Sequence, residues 1–167
     1  MNRSIRDDQR RIATQRISGI DERRRIIATI VEPPIYFADS TNSITRNDDI
    51  AFHDLRYLLG LLNSELFQWR FRITSTNNNV GTNELESMPF RAIDPQDEMD
   101  AKTYERIVDI VQELMTASIA EEELAGCQTT MTQDQFDSAD QEIDELVYRL
   151  YGLTDNDVRV IQGAFES

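Results

Sequence analysis

The stretch 54–71, "DLRYLLGLLNSELFQWRF", decides how the rest of the chain is read. Leu55, Leu58, Leu59, Leu62 and Leu66 recur at the spacing of one face of an α-helix, and Asp54 stands where a side-chain oxygen caps its first turn. The spacing predicts one long helix from Asp54 to about Phe71. Trp69 and Phe71 at its end are core candidates before they are base-stacking ones. A helix this apolar needs a partner surface, and the flanking segments supply candidates.

Upstream, "RIATQRIS" (11–18) and "IIATIV" (26–31) read as two short strands joined by the charged turn "GIDERRR". After Pro33-Pro34, "IYFAD" (35–39) is a third strand candidate, with Ser43-Ile44-Thr45 a short extended piece. Downstream, "AIDPQDEMD" (92–100) reads as a linker, with Asp100 as a helix N-cap. A second helical stripe follows: Tyr104, Ile107, Val108, Val111, Leu114 and Met115, with helix expected over 101–118. A polar segment around Gly126–Gln135 leads to a third helix at about 138–151, ended by Gly152. Thr154 with Asp157 then opens a short last helix. The expected fold class is α/β in the α+β sense: a small N-terminal sheet with a long packed helix, then acidic C-terminal helices. The expected division is 1–91 and 92–167.

Charge follows the same division. The formal net charge of the 167 residues is −14. Residues 1–91 carry thirteen arginines against twelve carboxylates, whereas 92–167 carry four basic groups against nineteen acidic ones. Contact with a polyanion is therefore expected in the N-terminal half alone. Lys102 is the single lysine. An acidic, nearly lysine-free surface fits adaptation to a high-salt cytoplasm; a GC-rich genome favouring arginine is the alternative. No apolar run reaches the length of a membrane span, and the Arg-rich start has no apolar core of a signal peptide behind it. One cysteine, Cys127, makes no internal disulfide, so a cytoplasmic protein is expected.

Three motifs suggest catalysis, and each has a simpler reading. "EPPIYF" (32–37) is similar to the Asn/Asp-Pro-Pro-aromatic grip on a flipped adenine, but Glu32 replaces the short acid or amide and Ile35 stands where the ring should be. Asp100-Ala101-Lys102, with Asp94 or Asp97, has the acid-x-Lys order of a Mg²⁺ nuclease, yet lies in a linker and helix start. His53 has no nucleophile near it in sequence, and Glu121–Glu123 fit a solvated face.

The stretch behind the long helix, "ITSTNNNVGTNELESMPF" (73–90), is different: hydroxyls and amides with almost no charge. Asparagine pairs bidentately with adenine in the major groove, and Ser and Thr serve any base; asparagine is also a common turn former. Arg16 and Arg23-Arg24-Arg25, in and beside a turn between strands, have the fork geometry for phosphate oxygens, or are a solvated turn.

Taken together, "RIATQRIS", "RRIIATIV", "YFADSTNSI", "LLGLLNSELFQWRFRITSTNNNVGTNELESMPF" and "EIDELVYRLYGLTDNDVRVI" resemble the C-terminal specificity region of adenine-specific DNA methyltransferases of restriction–modification systems, the TaqI-like specificity domain. The resemblance covers about residues 10–163. It is carried by Leu61-Leu62-Asn63-Ser64 in a helix, the polar stretch Ile73–Glu86 and Met88-Pro89, with the tail in support. It implies target recognition in double-stranded DNA. A separate N-terminal methyltransferase domain, using S-adenosylmethionine, would do the chemistry, so this chain would be a fragment or a stand-alone remnant, with no cofactor, metal or catalytic residue of its own. The implied DNA contacts are Arg16, Arg23, Arg24, Arg25, Arg72, Thr74, Ser75, Thr76, Asn77, Asn78, Asn79, Thr82 and Asn83. Whether the parent also cleaves DNA stays open. The alternatives are an acidic module that packs on a parent enzyme or partner subunit, and a Mg²⁺-dependent nuclease.

Overall fold

The computed structural model describes residues 9–19, 24–37, 40–45, 54–75, 78–119 and 129–165. Three strands, β1 (Arg11–Gln15), β2 (Ala28–Val31) and β3 (Thr41–Thr45), form an antiparallel sheet in the order β2-β1-β3. The register aligns Ile12 with Ile30 on one side and Ile44 on the other, so three isoleucines form a row on the core face. On the opposite face Arg11 is fully buried, its guanidinium 4.9 Å over the Phe37 ring and donating to the carbonyls of Gln9 and Ile35. Residues 32–37, which contain a cis Pro33-Pro34 bond, therefore cover this face instead of joining the sheet. The third strand is 41–45, which contains the expected extended piece 43–45; residues 35–37 of the other candidate are not in the sheet, and 38–39 lie outside the described residues. "TNSIT" offers a β-branched residue at every position facing β1 but two, whereas "PPIYF" begins with two residues that have no N–H for a ladder.

The expected long helix is two helices, α1 (Leu55–Asn63) and α2 (Glu65–Thr74). The break is Ser64, in extended conformation, whose hydroxyl and N–H both return to the Leu61 carbonyl at 2.7 and 3.1 Å. Asp54 caps α1 by accepting from the Arg56 N–H at 2.8 Å. Burial on α1 extends beyond one stripe: Tyr57 and Leu61 are as covered as Leu62, because β2 lies on one side of it and α4 (Glu98–Thr116) on another. Gly60 permits the close approach to α4; a Cβ there would sit 2.7 Å from Ile107 Cγ2.

α4 is capped three residues before the expected position. Asp97 is the N-cap, accepting from the Met99 and Asp100 N–H groups, and Asp100 is buried with both carboxylate oxygens 2.9 Å from Arg91. It ends at Thr116; residues 117 and 118, expected to be helical, belong to β4 (Ala117–Ile119), paired in parallel with β5 (Thr129–Met131). α5 (Gln133–Leu150) opens with a Thr132/Gln135 capping box, several residues earlier than its apolar stripe indicates. Gly152 follows with φ +65°, and α6 (Asp155–Gly163) starts from the expected Thr154/Asp157 box.

The short helix α3 (Thr82–Glu86) lies inside the polar stretch. Buried side chains of the sheet and of α1, α2, α4, α5 and α6 form one continuous core, so both halves of the chain share it. The α+β class holds: a small sheet at the front, a helix pair packed on it, acidic helices behind.

Candidate functional site

Residues 75–90 are anchored at alternate points, and this decides what they present. Ser75 is buried and its N–H closes on the Phe71 carbonyl at 2.8 Å. Next, 78–80 runs antiparallel to the end of β1: Ser18 N–H donates to Asn78 O at 2.9 Å, Val80 N–H to Arg16 O at 2.8 Å, and Ile17 bridges Asn79. Val80 is inserted into the core, and Leu85 and Met88 follow it. A buried asparagine on β3, Asn42, donates from Nδ2 to Val80 O at 2.7 Å and to Thr14 Oγ1 at 3.4 Å, pinning the segment to the sheet. Glu84 accepts from the Gly81 N–H at 2.9 Å and closes α3 on itself. Four uncharged side chains, Asn78, Asn79, Thr82 and Asn83, are exposed along one edge, with the exposed Arg16 beside them just after β1; Glu86 and Ser87 are exposed at the far end of α3. Amide and hydroxyl groups both donate and accept, so such an edge can match a mixed hydrogen-bond pattern where a cation could not.

The other implied contacts are distributed elsewhere. Thr76, Asn77 and Arg23 lie outside the described residues, as do His53, Glu121–Glu123 and Cys127. Thr74 is exposed, but its hydroxyl donates to the Arg70 carbonyl at 2.9 Å, within its own helix. Arg72 stands 5.2 Å from the Phe165 ring, which fixes its stem against the C-terminus of the described chain.

Arg24 and Arg25 are not assembled as a clamp. Arg25 is 1% exposed; its Nε donates to Ser18 Oγ at 2.9 Å and its guanidinium lies 5.4 Å from the Phe71 ring. The aromatic end of α2 gives the guanidinium a ring to cover, so Arg25 packs rather than projects. Arg24 points the other way and pairs with Asp140 of α5. Of the three arginines expected to meet phosphates, Arg25 is covered and Arg24 has a carboxylate partner, while Arg23 lies outside the described residues.

Several residues that hold this region together were not singled out by sequence. Gln68 is buried on α2 and makes four hydrogen bonds. Its Oε1 accepts from the Arg25 and Ile26 N–H groups at 2.8 and 3.0 Å, and its Nε2 donates to Ile26 O and Leu62 O at 2.7 and 3.0 Å. The signal was a glutamine flanked by apolar residues, Phe67 and Trp69, in "LFQWRF". Asn63, which the sequence did single out within Leu61-Leu62-Asn63-Ser64, donates from Nδ2 to Ala28 O at 3.3 Å, a tie from the helix break to β2. Asp144 of α5 accepts the Glu65 N–H at 2.7 Å and so caps α2 from across the fold.

The residues proposed for catalysis have structural partners. Glu32 pairs with Arg10 at 2.7 Å, Asp97 and Asp100 are engaged as described, and Lys102 reaches Glu98 at 2.5 Å. No helix of the described residues is long and apolar enough to cross a membrane. Comparison of the chain with protein-family models, with curated proteins and with solved structures finds no match in any of the three.

Proposed function

We propose that this chain is a sequence-specific recognition module for double-stranded DNA, serving an adenine-specific methyltransferase of a restriction–modification system. The observation that carries the reading is the anchored, uncharged edge Asn78–Asn79–Thr82–Asn83 with Arg16 beside it. Backbone pairing to residues 16–18, the Asn42 tie and the buried Val80 limit its freedom, and preorganised side chains recognise a pattern at lower entropic cost. In this reading Asn79 and Asn83 contact base edges and Arg16 and Arg72 contact phosphates. The resemblance over 10–163 supports the nature of the parent, whose N-terminal domain would bind S-adenosylmethionine and transfer the methyl group in the cytoplasm. The module itself does no chemistry.

The acidic helices are the partner of the recognition half in this account. α5 and α6 bury Ile143, Leu146, Val147, Leu150 and Ile161 in the shared core. Selection from a random duplex library at low and high salt tests the proposal. One recurring sequence should be enriched at both, with weaker recovery at high salt. Recovery with no sequence in common would remove base reading from the account.

A further inference from the structure

The junction between α2 and α5 concentrates carboxylates in one place. Asp144 caps the first N–H of α2 at Glu65, and the Glu65 carboxylate in turn accepts the Tyr148 hydroxyl at 2.8 Å. One turn earlier on α5, Asp140 holds Arg24. These groups line one cavity of about 600 Å³, together with Asp137 and Glu145; α6 contributes only the untitratable Val158 and Gln162 to its wall. Among the described residues Arg24 is the single cation of that lining, against the five carboxylates Glu65, Asp137, Asp140, Asp144 and Glu145, and it is paired with Asp140. Asp144 itself is mostly withdrawn from water.

From this arrangement we propose that the α2–α5 junction is a proton-linked latch, in which one proton held at Asp144 fastens the acidic helix to the start of α2 and its loss loosens the contact. The cap on the Glu65 N–H needs only an oxygen acceptor, which a neutral carboxyl also supplies. The charge adds repulsion from Glu65 on α2 and Asp140 on α5, and must be desolvated besides. Burial first, then Glu65 and Asp140, push the Asp144 carboxyl up to about 7, against the opposing pull of the Glu65 N–H and Arg24. Tyr148 is held well above the ordinary tyrosine range by burial and by Glu65, so it stays a donor throughout. The latch stands apart from the DNA reading and does not require it.

The sign follows from the raised value. Between about pH 4 and 7 the native state keeps a proton at Asp144 that the unfolded chain has released, so stability falls as pH rises through this window and levels off above it. From this group alone the unfolding equilibrium constant grows by up to about tenfold per pH unit. Asp54 and Glu142, held below their usual range by Arg56 and Arg106, act only at lower pH.

The test is denaturation of the full chain and of Asp144→Asn from pH 5 to 8. The amide keeps the acceptor for Glu65 N–H and removes the charge; subtracting the two curves cancels the single histidine, His53. The variant should gain on the parent protein by more than tenfold in unfolding constant across this range. Carboxyl-carbon NMR of the unaltered protein provides a second readout that does not depend on the variant folding: the Asp144 signal should titrate near neutrality, and exchange of the Glu65 amide should accelerate beyond its intrinsic rate over the same interval. Parallel stability curves, or an Asp144 midpoint near 4, would overturn the latch.

Discussion

Replacing Gln68 by leucine probes the tie between the sheet and the helix pair. The two residues are close in volume, so the change is mainly chemical. Four hydrogen bonds disappear, and the N–H groups of Arg25 and Ile26 lose the acceptor they share. Gln68 is 2% exposed, so water has little access to replace it. Each buried group left without a partner costs about 1–3 kcal/mol, and added apolar burial returns about 1 kcal/mol. The net expectation is about 3 kcal/mol of lost stability. With a urea dependence of about 2 kcal/mol per molar for a chain of this size, the midpoint falls by roughly 1.5 M. Urea denaturation followed by circular dichroism reads this directly. A loss below about 1 kcal/mol would mean that the 25–26 backbone finds other partners, and that Gln68 is not the fastener described.

Other substitutions separate packing from recognition. Gly60→Ala forces a Cβ against Ile107 Cγ2 and Val111 Cγ2, and even after the helical preference of alanine should lower Tm by about 4 °C; an unchanged Tm would mean that α4 yields freely. Arg25→Ala should cost about 2 kcal/mol of stability, since it removes a buried stem, the Ser18 bond and the contact with Phe71. Arg16→Ala should leave stability within about 0.5 kcal/mol and reduce the salt slope of DNA binding by about one; the reverse pattern would reassign the phosphate contact. Asn42→Ala, which frees the Val80 carbonyl, should cost about 1–2 kcal/mol and weaken discrimination between duplexes, as measured by the ratio of their dissociation constants.

The fold was legible where local chemistry and packing agree. Asp54, Gly152 and the Thr154/Asp157 box act as read, because a cap is decided within four residues. The break at Ser64 was not legible: an unbroken apolar period continues through it, and the extended conformation depends on Asp144, seventy-nine residues away, capping the second helix. In the sequence the strand at 41–45 shows only as a short extended piece at 43–45 and 35–39 is favoured, because aromatic content marks strands in general, while the cover that Arg11 and Phe37 give the sheet is a tertiary fact. For the candidate site, sequence placed the polar stretch but could not tell which side chains face out. Arg25 looks like its neighbours in "RRR", and the Ser18 bond and the ring of Phe71 set it apart from Arg24.

The central claim is that the edge 78–83 reads bases. The direct measurement is the affinity of Asn83→Ala for the selected duplex and for a scrambled one of equal length, at one salt concentration. Asn83 is exposed on the first turn of α3, so the change should leave the fold intact. The account predicts a loss of roughly 1–3 kcal/mol on the selected duplex and almost none on the scrambled one. An equal loss on both, or no loss on either, would contradict it.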